Sequence, residues 1–138
     1  MSSVIVLESL LERLGDLPKS VPDLRLLVLF GSAAKGQAGA KSDLDLAVLC
    51  EGPADLDALY LALAPRLRTD RLDLVDLRRA GPILAFEVAR SGRPLFQKSP
   101  GLFRQFQSLA SRRYADTKKL REAQRRAIHV FLQQEGLT

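Results

Sequence analysis

Residues 27–49 read LVLFGSAAKGQAGAKSDLDLAVL: an apolar run, a Gly-Ser turn, a small-residue loop, and a second apolar run that carries two aspartates. The spacing is Gly31-Ser32, ten intervening residues, then Asp43-Leu44-Asp45. Side chains alternate faces along a strand, so Asp43 and Asp45 share one face while Leu44 and Leu46 take the other. Two carboxylates side by side repel each other, and a divalent cation between them removes that penalty. Mg²⁺ is typically held by one or two carboxylates plus substrate phosphates. The Gly-Ser turn offers the other half of such a site. Glycine lets backbone N–H groups approach an anion closely, and the Ser32 hydroxyl can donate to a phosphate oxygen. Together the two halves point to metal-assisted chemistry on a nucleoside triphosphate. Neither half is informative alone; the combination at fixed spacing, each part on the element its chemistry needs, is a strong signal.

Around this stretch the 138-residue chain reads as one domain, residues 1–138, with a core over about 1–98 and a long C-terminal helix over about 100–135. Its 46% hydrophobic and 27% charged residues are an ordinary globular composition. The one cysteine, Cys50, excludes an internal disulfide framework and fits a reducing cytoplasm; its parity opposite to the aspartates marks it as a buried thiol. No apolar run reaches the roughly 20 residues of a membrane span, and Met1-Ser2-Ser3-Val4 lacks the basic start of a signal peptide. The formal net charge of +5 favours anionic partners without choosing among nucleotides, RNA and acidic protein.

Taken in order, Ser2 or Ser3 caps a first helix with Leu7, Leu10, Leu11 and Leu14 at helical spacing, ended by Gly15-Asp16-Leu17-Pro18. Leu24 to Phe30 is a buried strand. Ser32 opens a short helix that aims free N–H groups at an anion, with Lys35 as the phosphate counter-charge. The second strand runs from Asp43 to about Cys50, and a helix from Ala54 to about Leu63 is stopped by Pro65. Arg71 to Leu77 is a third strand. Gly81-Pro82 opens another helix through Ala89, and Gly92 to Gln97 is a brief edge strand because Pro94 lacks an N–H. Phe103, Phe106, Ala110, Tyr114, Thr117, Leu120, Ala127 and Phe131 form one stripe along the last helix. His129, the only histidine, lies far along that helix and reads as a surface residue.

Phe30-Gly31-Ser32-Ala33-Ala34-Lys35-Gly36, Ser42-Asp43-Leu44-Asp45-Leu46-Ala47-Val48 and Leu72-Asp73-Leu74-Val75-Asp76-Leu77 resemble the motifs of the DNA polymerase β-like nucleotidyltransferase superfamily. At this length the chain is most similar to the minimal nucleotidyltransferase (MNT) family, the antitoxin half of HEPN/MNT toxin–antitoxin pairs. The likeness is good from about Leu24 to Gln97 and looser through Tyr114-Ala115-Asp116. It implies an α/β nucleotidyltransferase fold with a mixed sheet flanked by helices. It also implies Asp43 and Asp45 as ligands of two Mg²⁺ ions, ATP as substrate, and Gly31, Ser32 and Lys35 as nucleotide-binding residues. The family more often has arginine where Lys35 stands, which makes the contact here a point charge rather than a fork.

The superfamily completes its metal site with a third carboxylate on a neighbouring strand, which also takes the proton of the attacking hydroxyl. Asp73 and Asp76 both qualify, three apart and so on opposite faces. Asp73 is the expected residue, because it sits in an apolar run where a charge needs a purpose, whereas Asp76 lies near Arg78 and Arg79. By resemblance the acceptor is a tyrosine of a partner HEPN ribonuclease toxin, which also suits a chain with no second domain to hold a small substrate. The alternatives are transfer to a small hydroxylated molecule, or a non-catalytic antitoxin that acts by binding. The basic run Arg112-Arg113, Lys118-Lys119, Arg121 and Arg125-Arg126 reads first as a solvated helix face; a toxin-docking or RNA-facing surface is the second reading.

Overall fold

Seven residues, Leu24–Phe30, apolar except for Arg25, form β1, the strand around which the sheet is assembled. The computed structural model describes residues 7–36 and 43–136. The Ser2 or Ser3 cap and most of the small-residue loop lie outside the described residues.

β1 is flanked on both sides by antiparallel partners, β2 (Leu44–Cys50) and β4 (Arg93–Gln97). β3 (Leu72–Asp76) joins β2 in parallel, giving the order β3-β2-β1-β4 and a mixed sheet. Pro94 accordingly sits on an edge strand, as its missing N–H requires.

One face of the sheet, with Leu27, Leu29, Leu44, Leu46 and Val48, packs against Leu10 and Leu14 of α1 (Leu7–Leu14), Leu17 of α2 (Leu17–Ser20), and Leu59, Leu63 and Leu67 of α4 (Leu56–Leu67). A parallel β2–β3 pair needs such a crossover, and α4 supplies it. The other face, with Leu26, Val28, Phe30 and Ala47, packs against Ala85, Val88 and Ala89 of α5 (Pro82–Ser91) and Phe103 and Ala110 of α6 (Leu102–Asp116). The end of α5 crosses β1 so closely that a Cβ on Gly92 would collide with the Val88 carbonyl and the Val28 side chain.

Several boundaries differ from the sequence expectation. The first helix ends at Leu14, before Gly15-Asp16, as expected, while Pro18 enters a short second helix at its first turn, where a missing N–H costs nothing. Pro65 does not stop α4, which continues to Leu67 and closes on Arg68 in the left-handed region. The carbonyl deprived of its donor belongs to Leu61, and Leu61 and Pro65 are both on the exposed side where water can substitute. β2 starts at Leu44 and leaves Asp43 just before it.

The long C-terminal helix is interrupted at Thr117 into α6 and α7 (Lys118–Gln134). There the Thr117 hydroxyl donates to the Tyr114 carbonyl at 2.7 Å and its N–H bonds the same oxygen at 3.1 Å, so the turn tightens. The apolar stripe divides accordingly. Its α6 part is packed, whereas α7 has no buried residue. Cys50 is buried and His129 exposed, as expected.

Candidate active site

The end of β1, the start of β2 and the start of β3 meet at one edge of the sheet, because Phe30 is the register partner of Asp45 and Asp45 that of Asp73. Asp45 lies two residues before Ala47, so its side chain is on the face that α5 and α6 cover farther along the strand. At this end the covering stops. Asp45 is half-buried, and Asp43 and Asp73 are exposed.

Gly31 closes the site from the β1 side. It has φ +72°, a left-handed conformation, and a Cβ there would collide with Asp45 Oδ2. Both features demand glycine. The chain then makes one helical turn, α3 (Gly31–Ala34), with no side-chain cap over its first N–H groups and the Ser32 side chain exposed. The short helix expected after the turn is therefore present, beginning at Gly31, one residue before Ser32.

Burial, then the negative charges of Asp73 and Asp43, hold the Asp45 carboxyl above the usual aspartate range. Among the described residues none of these three carboxylates is engaged in an ion pair. Three hard oxygen donors are the donor set that Mg²⁺ prefers. Among the described residues, however, no three His, Cys, Asp or Glu side chains lie close enough together to enclose a metal ion. The strand register sets Asp45 beside Asp73, and Asp43 lies just before β2.

Asp73 and Asp76 differ from the expectation in burial. Asp73, on the edge strand, is exposed; Asp76 is the buried carboxylate at 6% exposure. Asp76 faces away from Asp45 and accepts the N–H of Arg78 at 3.0 Å and that of Ala54 at 3.4 Å. It ties the turn after β3 to the segment before α4, so a turn role accounts for it without any ion pair to Arg78 or Arg79.

Lys35 follows α3 and places its Nζ 3.8 Å from Glu87 Oε1, while Arg90 Nη2 lies 2.7 Å from Glu87 Oε2. These contacts lower the Glu87 carboxyl below its usual range, the Arg90 hydrogen bond contributing most. Neither Glu87 nor Arg90 was singled out by sequence reasoning, since a carboxylate on an ordinary amphipathic helix carries no pattern that links it to Lys35. Beside them Ile83, Leu84, Phe86 and Tyr114 line a groove of about 620 Å³. Phe86 and Tyr114 stack with ring centroids 4.0 Å apart, and the Arg121 guanidinium sits 3.8 Å from the Tyr114 centroid. No helix among the described residues is long and apolar enough to cross a membrane.

Known proteins share the sequence and the fold of this chain. The family model described as "Polymerase beta, Nucleotidyltransferase" matches residues 12–101. The chain is 30% identical over 131 residues to the protein adenylyltransferase MntA of Aphanizomenon flos-aquae (strain 2012/KM1/D3), covering 85% of this chain and 86% of that protein. Among solved structures, a toxin–antitoxin complex with AMP-PNP matches with a TM-score of 0.71 at 30% identity, over 91% of this chain and 99% of its counterpart. A tri-AMPylated Shewanella oneidensis HEPN toxin in complex with MNT antitoxin matches with a TM-score of 0.62 at 28% identity, over 93% and 99% of the two chains.

Proposed function

The chain belongs to the polymerase beta nucleotidyltransferase family, and from that premise we propose that it is an antitoxin that transfers AMP from ATP to a tyrosine of a partner HEPN toxin. The observation that carries this reading is the meeting of Asp45, two residues from Asp43 and backed against Gly31, with its register partner Asp73, with no basic side chain paired to any of the three among the described residues. A merely structural sheet edge has no use for such a cluster. The relatives named as adenylyltransferases and the solved complexes with AMP-PNP and with an AMPylated toxin support the donor and the acceptor.

In this proposal Asp43, Asp45 and Asp73 would hold Mg²⁺, which when bound would supply charge neutralisation at the triphosphate and lower the pKa of the acceptor hydroxyl. Gly31 lets the backbone approach the phosphates. Ser32 donates a hydrogen bond to a phosphate oxygen and Lys35 neutralises the outer phosphates, leaving Glu87 to do so. Asp73, exposed on the edge strand, takes the proton of the tyrosine hydroxyl as its oxygen attacks the α-phosphorus. The bond to the α–β bridging oxygen breaks and pyrophosphate leaves. A phenol, with a pKa near ~10, gives up that proton more readily than an alcohol. A tyrosine also projects far enough from a partner's surface to reach an open sheet edge. The setting is the cytoplasm, where ATP and Mg²⁺ are at hand.

Incubating the chain with the toxin, ATP and Mg²⁺ should raise the toxin's mass by whole AMP units. Replacing the acceptor tyrosine by phenylalanine should abolish the increase. An unmodified toxin, with a small hydroxylated compound adenylylated in its place, would refute the assigned acceptor.

A further inference from the structure

α7 is a 17-residue helix with no buried residue, although its sequence is amphipathic. Leu120, Ile128, Val130 and Phe131 are 60%, 60%, 49% and 57% exposed. At 100° per residue, Leu120, Ala127 and Phe131 fall on one line, with Ile128 and Val130 on either side. Lys119 and Arg126 border this apolar arc on one side and Arg121 and Arg125 on the other. A helix of this length gains most of its stability by burying such a face, and none of the described residues covers it here.

We infer that the apolar arc of α7 is the docking surface for the toxin, received by an apolar strip on the toxin that is edged with carboxylates. The inference rests on the partner assigned above and adds where that partner sits. Charge argues for it: two copies of α7 laid together would oppose basic rims, whereas an acidic-edged partner pairs with both. Position argues for it too. α7 continues α6, which packs on the sheet face that carries Asp45 and Asp73. Its first turn is fixed there by Arg121, which lies over Tyr114 as Tyr114 stacks on Phe86 of α5. A partner seated on α7 is thereby held on the same side of the sheet as the carboxylates, where its tyrosine is to react.

The test is toxin affinity by titration calorimetry without ATP, which separates docking from chemistry. Wild type is compared with Ile128→Asp/Phe131→Asp and with the milder Ile128→Ser/Phe131→Ser, each checked for retained helicity. Loss of buried apolar anchors should weaken binding about tenfold or more in both variants. Arg125→Glu/Arg126→Glu should weaken it as well and reduce its salt dependence. Affinities unchanged within about twofold, with wild type binding tightly, would overturn the docking surface and leave the partner assignment standing. No binding by wild type would overturn the partner assignment and this inference with it. Two further outcomes would overturn it: variants that lose only self-association on gel filtration, or only adsorption to vesicles containing phosphatidylserine.

Discussion

Asp45→Asn should make the metal-free protein more stable, although it removes a residue assigned to the active centre. The backbones of register partners on adjacent strands lie about 4.8 Å apart, and two like charges no closer than that repel by at most about 0.9 kcal/mol at the dielectric of water and about 3.5 kcal/mol at the effective dielectric near a protein surface. Asp45 is half-buried and Asp73 exposed, so screening brings the effect toward the lower figure, roughly 1 kcal/mol. For a chain of this size that is a rise in melting temperature of about 3 °C. The sign with pH follows from the direction of the Asp45 shift. Its carboxyl is held above the usual range when folded, so ionisation opposes folding. The cost is full at neutral pH, shrinks as pH falls through the raised value, and vanishes below the ordinary aspartate range.

The assay is thermal unfolding of wild type, Asp45→Asn, Asp73→Asn and the double variant in chelator. The double variant should gain less than the sum of the singles, since their mutual repulsion can be removed only once. Mg²⁺ should then raise the melting temperature of wild type more than that of either single variant. Destabilisation by Asp45→Asn in chelator at neutral pH, or additive gains in the double variant, would refute the clustering of these charges.

Gly31→Ala should destabilise by about 1–3 kcal/mol through its left-handed backbone and the collision with Asp45, and it should lower activity; unchanged chemical denaturation would count against the close approach. Asp76→Ala should cost about 1–3 kcal/mol by orphaning two backbone N–H groups, with turnover per folded molecule retained, whereas Asp73→Ala should abolish turnover and leave the melting temperature at or above that of wild type. Lys35→Ala should weaken ATP binding more than AMP binding, and Glu87→Gln, which frees Lys35, should strengthen ATP binding; equal effects on the two nucleotides would place Lys35 away from the outer phosphates. The affinity for Mg²⁺ should fall as pH drops through the raised Asp45 value, read by titration at fixed ionic strength.

The elements that build the site were legible in sequence because each is specified locally. Leu24–Phe30 is too apolar to be anything but a central strand, and the alternation through Leu44–Cys50 places Asp45 on the face opposite Leu44 and Leu46. What parity cannot supply is burial: it puts Asp73 and Asp76 on opposite faces, and only the packed fold shows Asp73 open and Asp76 enclosed. Pro65 misled because the cost of a proline depends on whether the orphaned carbonyl faces water, a property of the fold. The Thr117 interruption arises from a local hydroxyl-to-carbonyl bond inside a periodic pattern, and the periodicity itself gives no warning of it. Glu87 reaches Lys35 only through the packing of α5 against α3, which leaves no mark in either segment.

The central claim, AMP transfer by the Asp43, Asp45 and Asp73 cluster, is tested most directly by following label from ATP into the toxin. With wild-type chain and Mg²⁺, α-phosphate label should become covalently attached to the toxin while γ-phosphate label leaves as pyrophosphate, and Asp45→Asn should attach neither. Retention of γ-label on the toxin, or silencing of the toxin by Asp45→Asn as complete as by wild type with no label attached, would contradict it.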